Sequence, residues 1–528
     1  MSLRRILLQA TTLMSLSTLL SGGGLTVMTH GFNSDVDGWI IPMAERFTGR
    51  SDFPGSNLSC YIIEIGFSNN AYTTTVTRPD NPPGSNPQPD QNDSGEIVVK
   101  LDWSSISTDS ETNSTDVAIP AAAALLSSGL IPENNGRPLA ELPIHLLGHS
   151  RGASIASEIA WLLGQSGVWV DHLTLWDPVD STFNDATIGV WENVLFADNY
   201  YQQLGDFLIP QGRFVNFCYN RRLINLPGGY NYFSGGNHSD VHAWYHATVE
   251  LGSLAFDGNI SISSSTRGSW FTTEESAGAA TGFHFSRIAD GNRLSTDTPG
   301  GTGTAMIVEG YNQMWDLGAG VSPNRNGLSS PAPWTPVDPW PNVMVARRTT
   351  SGPLTGGDSI PLEIIYQSEV TGVGDPTLSI LLDPDPNPWN GNEISLSSEV
   401  VSGSGFSDVL TATPAPVLPP ETDGTFHLLA SISEDGRTRH FHLREPITVS
   451  AAVPSPSIVP GSLRFESGLA TFTISGTVGQ EVTVQAAGTL DDWSNIATVI
   501  LASESQDFSD PNSDDFERRF YRLVYTSP

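Results

Sequence analysis

Between Leu25 and about Asp257, short apolar runs alternate with segments whose apolar residues recur every three or four positions. The runs are LTVMTH, CYIIEIG, EIVVKLDW, IHLLGH, HLTLW, NVLFAD and FVNFCY, and the helical patterns cover 38–50, 118–130, 152–164 and 241–254. Runs this short and this apolar suit strands buried on both faces. Their alternation with helices predicts βαβ units in a doubly wound, mostly parallel sheet. A polar loop interrupts the region at 77–96, and residues 258–328 carry many glycines and no period, as an irregular extension would. The segment SSPAPWTPVDPWP (329–341) then brings five prolines, a stiff linker. Beyond it the texture changes to strands and turn clusters, as in IPLEIIYQ and GTFHLLASIS. A second proline-rich joint, PSPSIVP (454–460), precedes ATFTISG, EVTVQAA, IATVILA and FYRLVYT. The expected organisation is an α/β domain over 25–328 followed by two all-β, immunoglobulin-like sandwich modules over 342–453 and 461–528. Because stiff linkers mark places where few contacts cross, a chain ending near Ser329 is expected to fold alone.

One junction in this pattern carries chemistry. In LPIHLLGHSRGASIASEIAWLL (142–163) a buried-strand run stops at Gly148, and helical spacing resumes with Ile155, Ile159, Leu162 and Leu163. Ser150 stands at the turn, with Gly148 and Gly152 two residues to either side. So abrupt a strand-to-helix turn strains its apex and tolerates only tiny neighbours. GHSRG therefore matches the G-x-S-x-G nucleophile elbow in the context its mechanics require. A chance glycine-serine turn is the alternative, and the strand and helix flanks weigh against it.

A serine hydroxyl needs a base, an acid to orient that base, and donors for the developing oxyanion. Ligands of parallel sheets sit beyond the carboxyl ends of the strands, so the partners are sought there. The first strand ends in THGF, where His30, Gly31 and Phe32 place a backbone N–H able to pair with that of Arg151. The acid is Asp177, in LTLWDPVD, or Asp198, in LFADNYY; either is also a natural turn or helix cap. The base follows the acid in chain order. GGNHSDVHAWYH offers His238, His242 and His246, of which His238 ends a loop while the other two fall inside a helix. His238 is the expected base, with His242 as its rival.

Composition narrows the partners. The 24 basic and 57 acidic residues give a formal net charge of −33, which argues against nucleic acid or an anionic membrane surface. Cys60 and Cys218 can make at most one bridge and suit two buried thiols equally well. Arg4 and Arg5 precede a mildly apolar stretch, the outline of a secretory leader over 1–24, although no A-x-A site follows. No stretch has the length and apolarity of a membrane span. LLDPDPNPWNGNE (381–393) clusters Asp383, Asp385, Asn387, Asn390 and Glu393 like a calcium loop. Its prolines and late glycine favour a hairpin loop instead. Tyr200, Tyr201, Tyr230, Tyr232, Phe233, Trp244, Trp270 and Phe271 either line an acyl-chain site or pack long loops.

Four of these stretches, THGF, KLDWSS, GHSRG and LWDPVD, occur in the order and spacing of the α/β-hydrolase lipases similar to pancreatic lipase. The resemblance covers roughly 25–250, under half the chain. It implies Ser150 as nucleophile, Asp177 rather than Asp198 as acid, and Phe32 and Arg151 as oxyanion donors. The last module also resembles β-sandwich modules at the C-termini of large secreted bacterial proteins. Together these readings lead us to expect a secreted serine hydrolase of carboxylic esters, acting on an ester or lipid without cofactor or metal, its β modules serving surface or matrix attachment. A thioesterase, phospholipase or peptidase with the same triad fits the motifs too, as does a surface-binding protein whose hydrolase domain is incidental.

Overall fold

A computed structural model describes residues 23–48, 57–78, 93–131, 134–179, 184–204, 210–223, 226–231, 236–249, 254–271, 281–286, 340–368, 376–403, 410–443 and 446–525. The leader, most of the 329–341 linker, Tyr232 and Phe233 lie outside them. The described residues form a mixed α/β protein with several sheets. The first part runs β1 (Leu25–Thr29), α1 (Ile40–Thr48), β2 (Asn57–Ser68), β3 (Ala71–Thr77), β4 (Asp93–Asp102), α2 (Ser114–Leu126), β5 (Ile144–His149), α3 (Arg151–Gln165), β6 (Val170–Trp176), β7 (Val194–Gln202), β8 (Tyr219–Leu223) and α4 (Gly236–Val249).

These strands make one sheet in the order β3-β2-β4-β1-β5-β6-β7-β8, parallel throughout except for β3 against β2. Alternate side chains enter opposite layers. Leu25, Val27, Ile97, Val99, Ile144 and Leu146 share one core with α2 and α3, while Met28, Val98 and Leu147 share another with α1 and α4. Burial on both faces is why the strands read as continuous apolar runs. The chain order reverses at β1, which has β4 on one side and β5 on the other. A crevice opens at the carboxyl ends of strands at such a point.

Three departures from the sequence pattern have local causes. FVNFCY is not a strand: Phe217 takes φ 66°, and β8 begins only at Tyr219. The Asn220 amide closes the preceding loop on the Val215 backbone and the Cys218 carbonyl, and it also binds Asn199. β3 joins β2 through Asn69 and Asn70, both at positive φ, the turn geometry that suits a tight hairpin. The irregular extension holds a small hairpin, β9 (Ala255–Asp257) with β10 (Ile260–Ile262), and α5 (Ser264–Trp270), capped by the Ser263 hydroxyl. Cys60 and Cys218 are buried and not joined in a disulfide.

The described residues of 342–354, 358–418 and 424–449 form two sheets with a shared core that includes Val343, Ile364, Tyr366, Ile380, Leu428 and Ile432. This layer belongs to the same compact unit as the parallel sheet. It meets that sheet at the amino ends of β5 and β6. Asn342 accepts from Trp169 N–H and donates to the Gly167 carbonyl, and Trp169 Nε1–H donates to Gln367. Arg439, 1 % exposed, donates to the carbonyls of Ala140 and Trp169 and to Asp171 Oδ2 at 2.9 Å. Trp389 Nε1–H reaches the buried carboxylate of Glu141.

His440 lies at the same seam, 2.7 Å from Ser431 Oγ and 3.7 Å from Glu141. Burial, then the charges of His442, Arg137 and Arg439, pushes its imidazole down to about 3. Because the folded value lies below the unfolded one, near 6.5, His440 stabilises fully above pH 6.5. That contribution is lost as pH falls through about 3. The melting temperature of the native chain should therefore fall more steeply between pH 6.5 and 4 than that of His440→Gln. A divergence of about 2–4 °C by differential scanning fluorimetry is the expected size; parallel curves would remove His440 from the acid response.

The second unit comprises 355–357, 419–423 and 450–528. Its main strands form a four-stranded and a three-stranded sheet over a core of Phe472, Ile474, Val482, Val484 and Leu501. The 454–460 joint is not purely a linker, since Ser457 and Ile458 pair with Ser475 and Ile474.

Candidate active site

Ser150 follows β5 directly and opens α3 with φ 56° and ψ −123°. A non-glycine residue in this region is strained and must be held by its surroundings. Its N–H donates to the Trp176 carbonyl of neighbouring β6, and its own carbonyl accepts from Ala153. A side chain at Gly148 would collide with the Gly152 carbonyl, and one at Gly152 with the carbonyl of His30. These two glycines let strand and helix pass at contact distance. Ser150 is 8 % exposed at the carboxyl edge of the sheet.

Asp177 ends β6, one strand over from Ser150, and is fully buried with φ 45°. Gln202, from the end of β7, holds its carboxylate through N–H to Oδ1 and Nε2–H to Oδ2, both at 2.8 Å. His238 Nδ1–H donates to the same Oδ2 at 2.5 Å. With Nδ1 so engaged, Nε2 is the nitrogen left to exchange a proton. His238 is the third residue of α4 rather than a loop tip. Its carbonyl accepts from His149 Nε2–H at 3.0 Å, so the residue before Ser150 also holds the segment bearing the imidazole. Burial, followed by the nearby His238 and His242, keeps His149 well below the usual histidine range, and it stays neutral.

The rival residues have other partners. Asp198 accepts from His172 Nε2–H, Thr174 Oγ1–H and Tyr200 O–H in a network buried on the strands. His242 stacks on Trp39 at 4.1 Å and stands 2.9 Å from Asp257, whose other oxygen accepts from His246. Burial raises Asp257, but His242 and His246 outweigh it and hold the carboxylate far below its ordinary range. The structure thus sets Ser150 at the strand end next to the Asp177–His238 pair and leaves Asp198, His242 and His246 in packing networks. Tyr200, Trp244, Trp270 and Phe271 are core residues here. In the 381–393 loop, Asp385 accepts from the Asn390 and Asn392 amides and the Asn387 N–H, so the loop closes on itself. Among the described residues no group of three or more His, Cys, Asp or Glu side chains is arranged to hold a metal.

Phe32 follows Gly31, where a Cβ would stand 2.7 Å from that of Ser150, so this loop lies against the serine. His30 Nδ1–H donates to the Gly31 carbonyl, and Nε2 lies 3.1 Å from Asp102. Burial raises Asp102, yet hydrogen bonds from His30 and Ser104 prevail and its pKa is lowered. The Arg151 side chain turns away from the crevice. It is 2 % exposed, paired with Asp185 and bonded to the Ser107 and Thr112 carbonyls. Sequence reasoning passed over Gln202, His149 and Asp185. Gln202 sits at the carboxyl end of an apolar run, four residues beyond Asp198, and that rim position was the available signal.

No family model matches this chain, and no curated protein does. A solved structure to which part of it is similar is that of dimeric latent PorU from Porphyromonas gingivalis. The match has 16% identity and a TM-score of 0.14, and it covers 36% of this chain and 19% of that one.

Proposed function

We propose that the parallel sheet is an α/β-hydrolase sheet and that the chain is a secreted serine hydrolase of carboxylic esters. The observation that carries the reading is the pairing of two features at adjacent strand ends: Ser150 held in a strained turn, and a buried Asp177–His238 hydrogen bond. In the reaction, Ser150 Oγ forms a bond to the ester carbonyl carbon while its proton passes to His238 Nε2. The tetrahedral oxyanion accepts from the Phe32 and Arg151 N–H groups. It collapses with cleavage of the ester C–O bond, and His238 returns the proton to the departing alkoxide. Water, deprotonated by His238, then releases the acid and regenerates Ser150. Asp177 holds the imidazole in the required tautomer and stabilises the imidazolium. A panel of p-nitrophenyl esters from acetate to palmitate defines the acyl length that the protein accepts. The first test is a fluorophosphonate probe on the full chain: covalent labelling at Ser150 supports the reading, and an unlabelled, folded protein overturns it.

A further inference from the structure

We infer that Trp103 is a positioning residue that sets the separation of the two oxyanion donors, an assignment that rests on the serine-hydrolase reading above. The donors come from segments distant in sequence, Phe32 after β1 and Arg151 at the start of α3, and nothing covalent fixes their spacing. Trp103, which is fully buried just after β4, touches both. Its Nε1–H donates to the His30 carbonyl at 3.1 Å, and its ring stacks on the His30 imidazole at 5.2 Å and 6°. The Arg151 guanidinium lies over the same ring, 5.2 Å from its centroid.

Each contact transmits to a donor. The His30 carbonyl is the atom that a side chain at Gly152 would strike, so the indole N–H keeps the loop after β1 against the first turn of α3. His30 in turn holds the Gly31 carbonyl. Across a trans peptide C=O and N–H point oppositely, so fixing Gly31 O also fixes the direction of Phe32 N–H. On the other side, Arg151 is anchored by its side chain to the indole and to Asp185, which sets where its backbone N–H points. An oxyanion stabiliser works only when its donors are placed in advance at hydrogen-bond distance from the developing charge. One rigid bicyclic ring contacting both segments meets that need. These donors gain most as negative charge develops on the carbonyl oxygen, so loosening this ring should act on the transition state.

The test uses the full chain, with turnover normalised to the fraction of sites that fluorophosphonate labels to completion. Trp103→Phe keeps a ring and removes the indole N–H. Its kcat on p-nitrophenyl acetate should fall about 100-fold, the loss expected from a misplacement of about 1 Å. KM should stay within about twofold, the signature of an interaction made only in the transition state. The inhibition constant of an aryl trifluoromethyl ketone, whose adduct with Ser150 carries the oxyanion, should rise in step with the loss in kcat. Asp185→Asn, isosteric and away from the indole, weakens the Arg151 anchor, together with the Ser114 N–H bond to the same carboxylate, and should show the same pattern at about 3–10-fold, a partial loss of one donor's placement. Unchanged kcat in both variants, or a loss confined to KM, overturns the assignment while leaving the hydrolase reading intact. A native chain that neither labels nor turns over ester overturns both.

Discussion

Ser150→Ala should abolish fluorophosphonate labelling and lower ester turnover by roughly 10³-fold or more, the loss typical of removing a triad nucleophile. The change deletes one oxygen and keeps the Cβ, so the strained turn and its Gly148 and Gly152 contacts persist, and the melting temperature should barely move. His238→Ala should lose about as much, and the double variant little more, because nucleophile and base act as one unit. Asp177→Asn should follow, since the amide would turn a donor toward His238 Nδ1 and favour the wrong tautomer. Asp198→Asn and His242→Ala, by contrast, should act mainly on stability through the networks around Tyr200 and Trp39. Near-normal turnover in Ser150→Ala, or a dead His242→Ala beside an active His238→Ala, would sink the assignment.

Ser150 and Asp177 stand where a strained turn and a strand end leave local marks: paired glycines, an abrupt change of period, and a polar residue closing an apolar run. His238 is expected at a loop end, whereas it stands in the first turn of α4. What supports these residues leaves no such mark. Gln202 and His149 act through hydrogen bonds to residues 25 and 89 positions away, and no local pattern encodes such partners. β8 was misplaced because its sequence, YNRRL, is polar; Arg221 lies over the Trp244 ring, and Asn220 spends its amide on the backbone. The hairpin of β2 and β3 did have a mark, two asparagines before a threonine-rich run. The proline linker suggested separable modules, and there the chemistry of the seam points the other way.

A chain truncated after residue 328 should be insoluble or melt far below the full chain. The layer formed by 342–449 supplies the partners of groups at the amino ends of β5 and β6. Without it Trp169 loses the Gln367 acceptor and the apolar cover of Met344 and Val345. Glu141, whose pKa burial already raises despite Arg137, loses Trp389. Asp171 keeps only the Ile144 N–H among these contacts, its cation gone. Within the full chain, Arg439→Ala isolates one part of this effect. It leaves the buried Asp171 carboxylate uncompensated, a change that costs about 3–5 kcal/mol. That should lower the melting temperature markedly while leaving KM unchanged in the surviving folded fraction, because the seam lies at the opposite strand ends from Ser150. Arg439→Met with Asp171→Leu should recover much of the loss, since apolar replacement of both partners removes the stranded charge. A soluble truncated chain with native melting temperature and full turnover would show instead that the 342–449 layer is a separable module docked on a self-sufficient sheet.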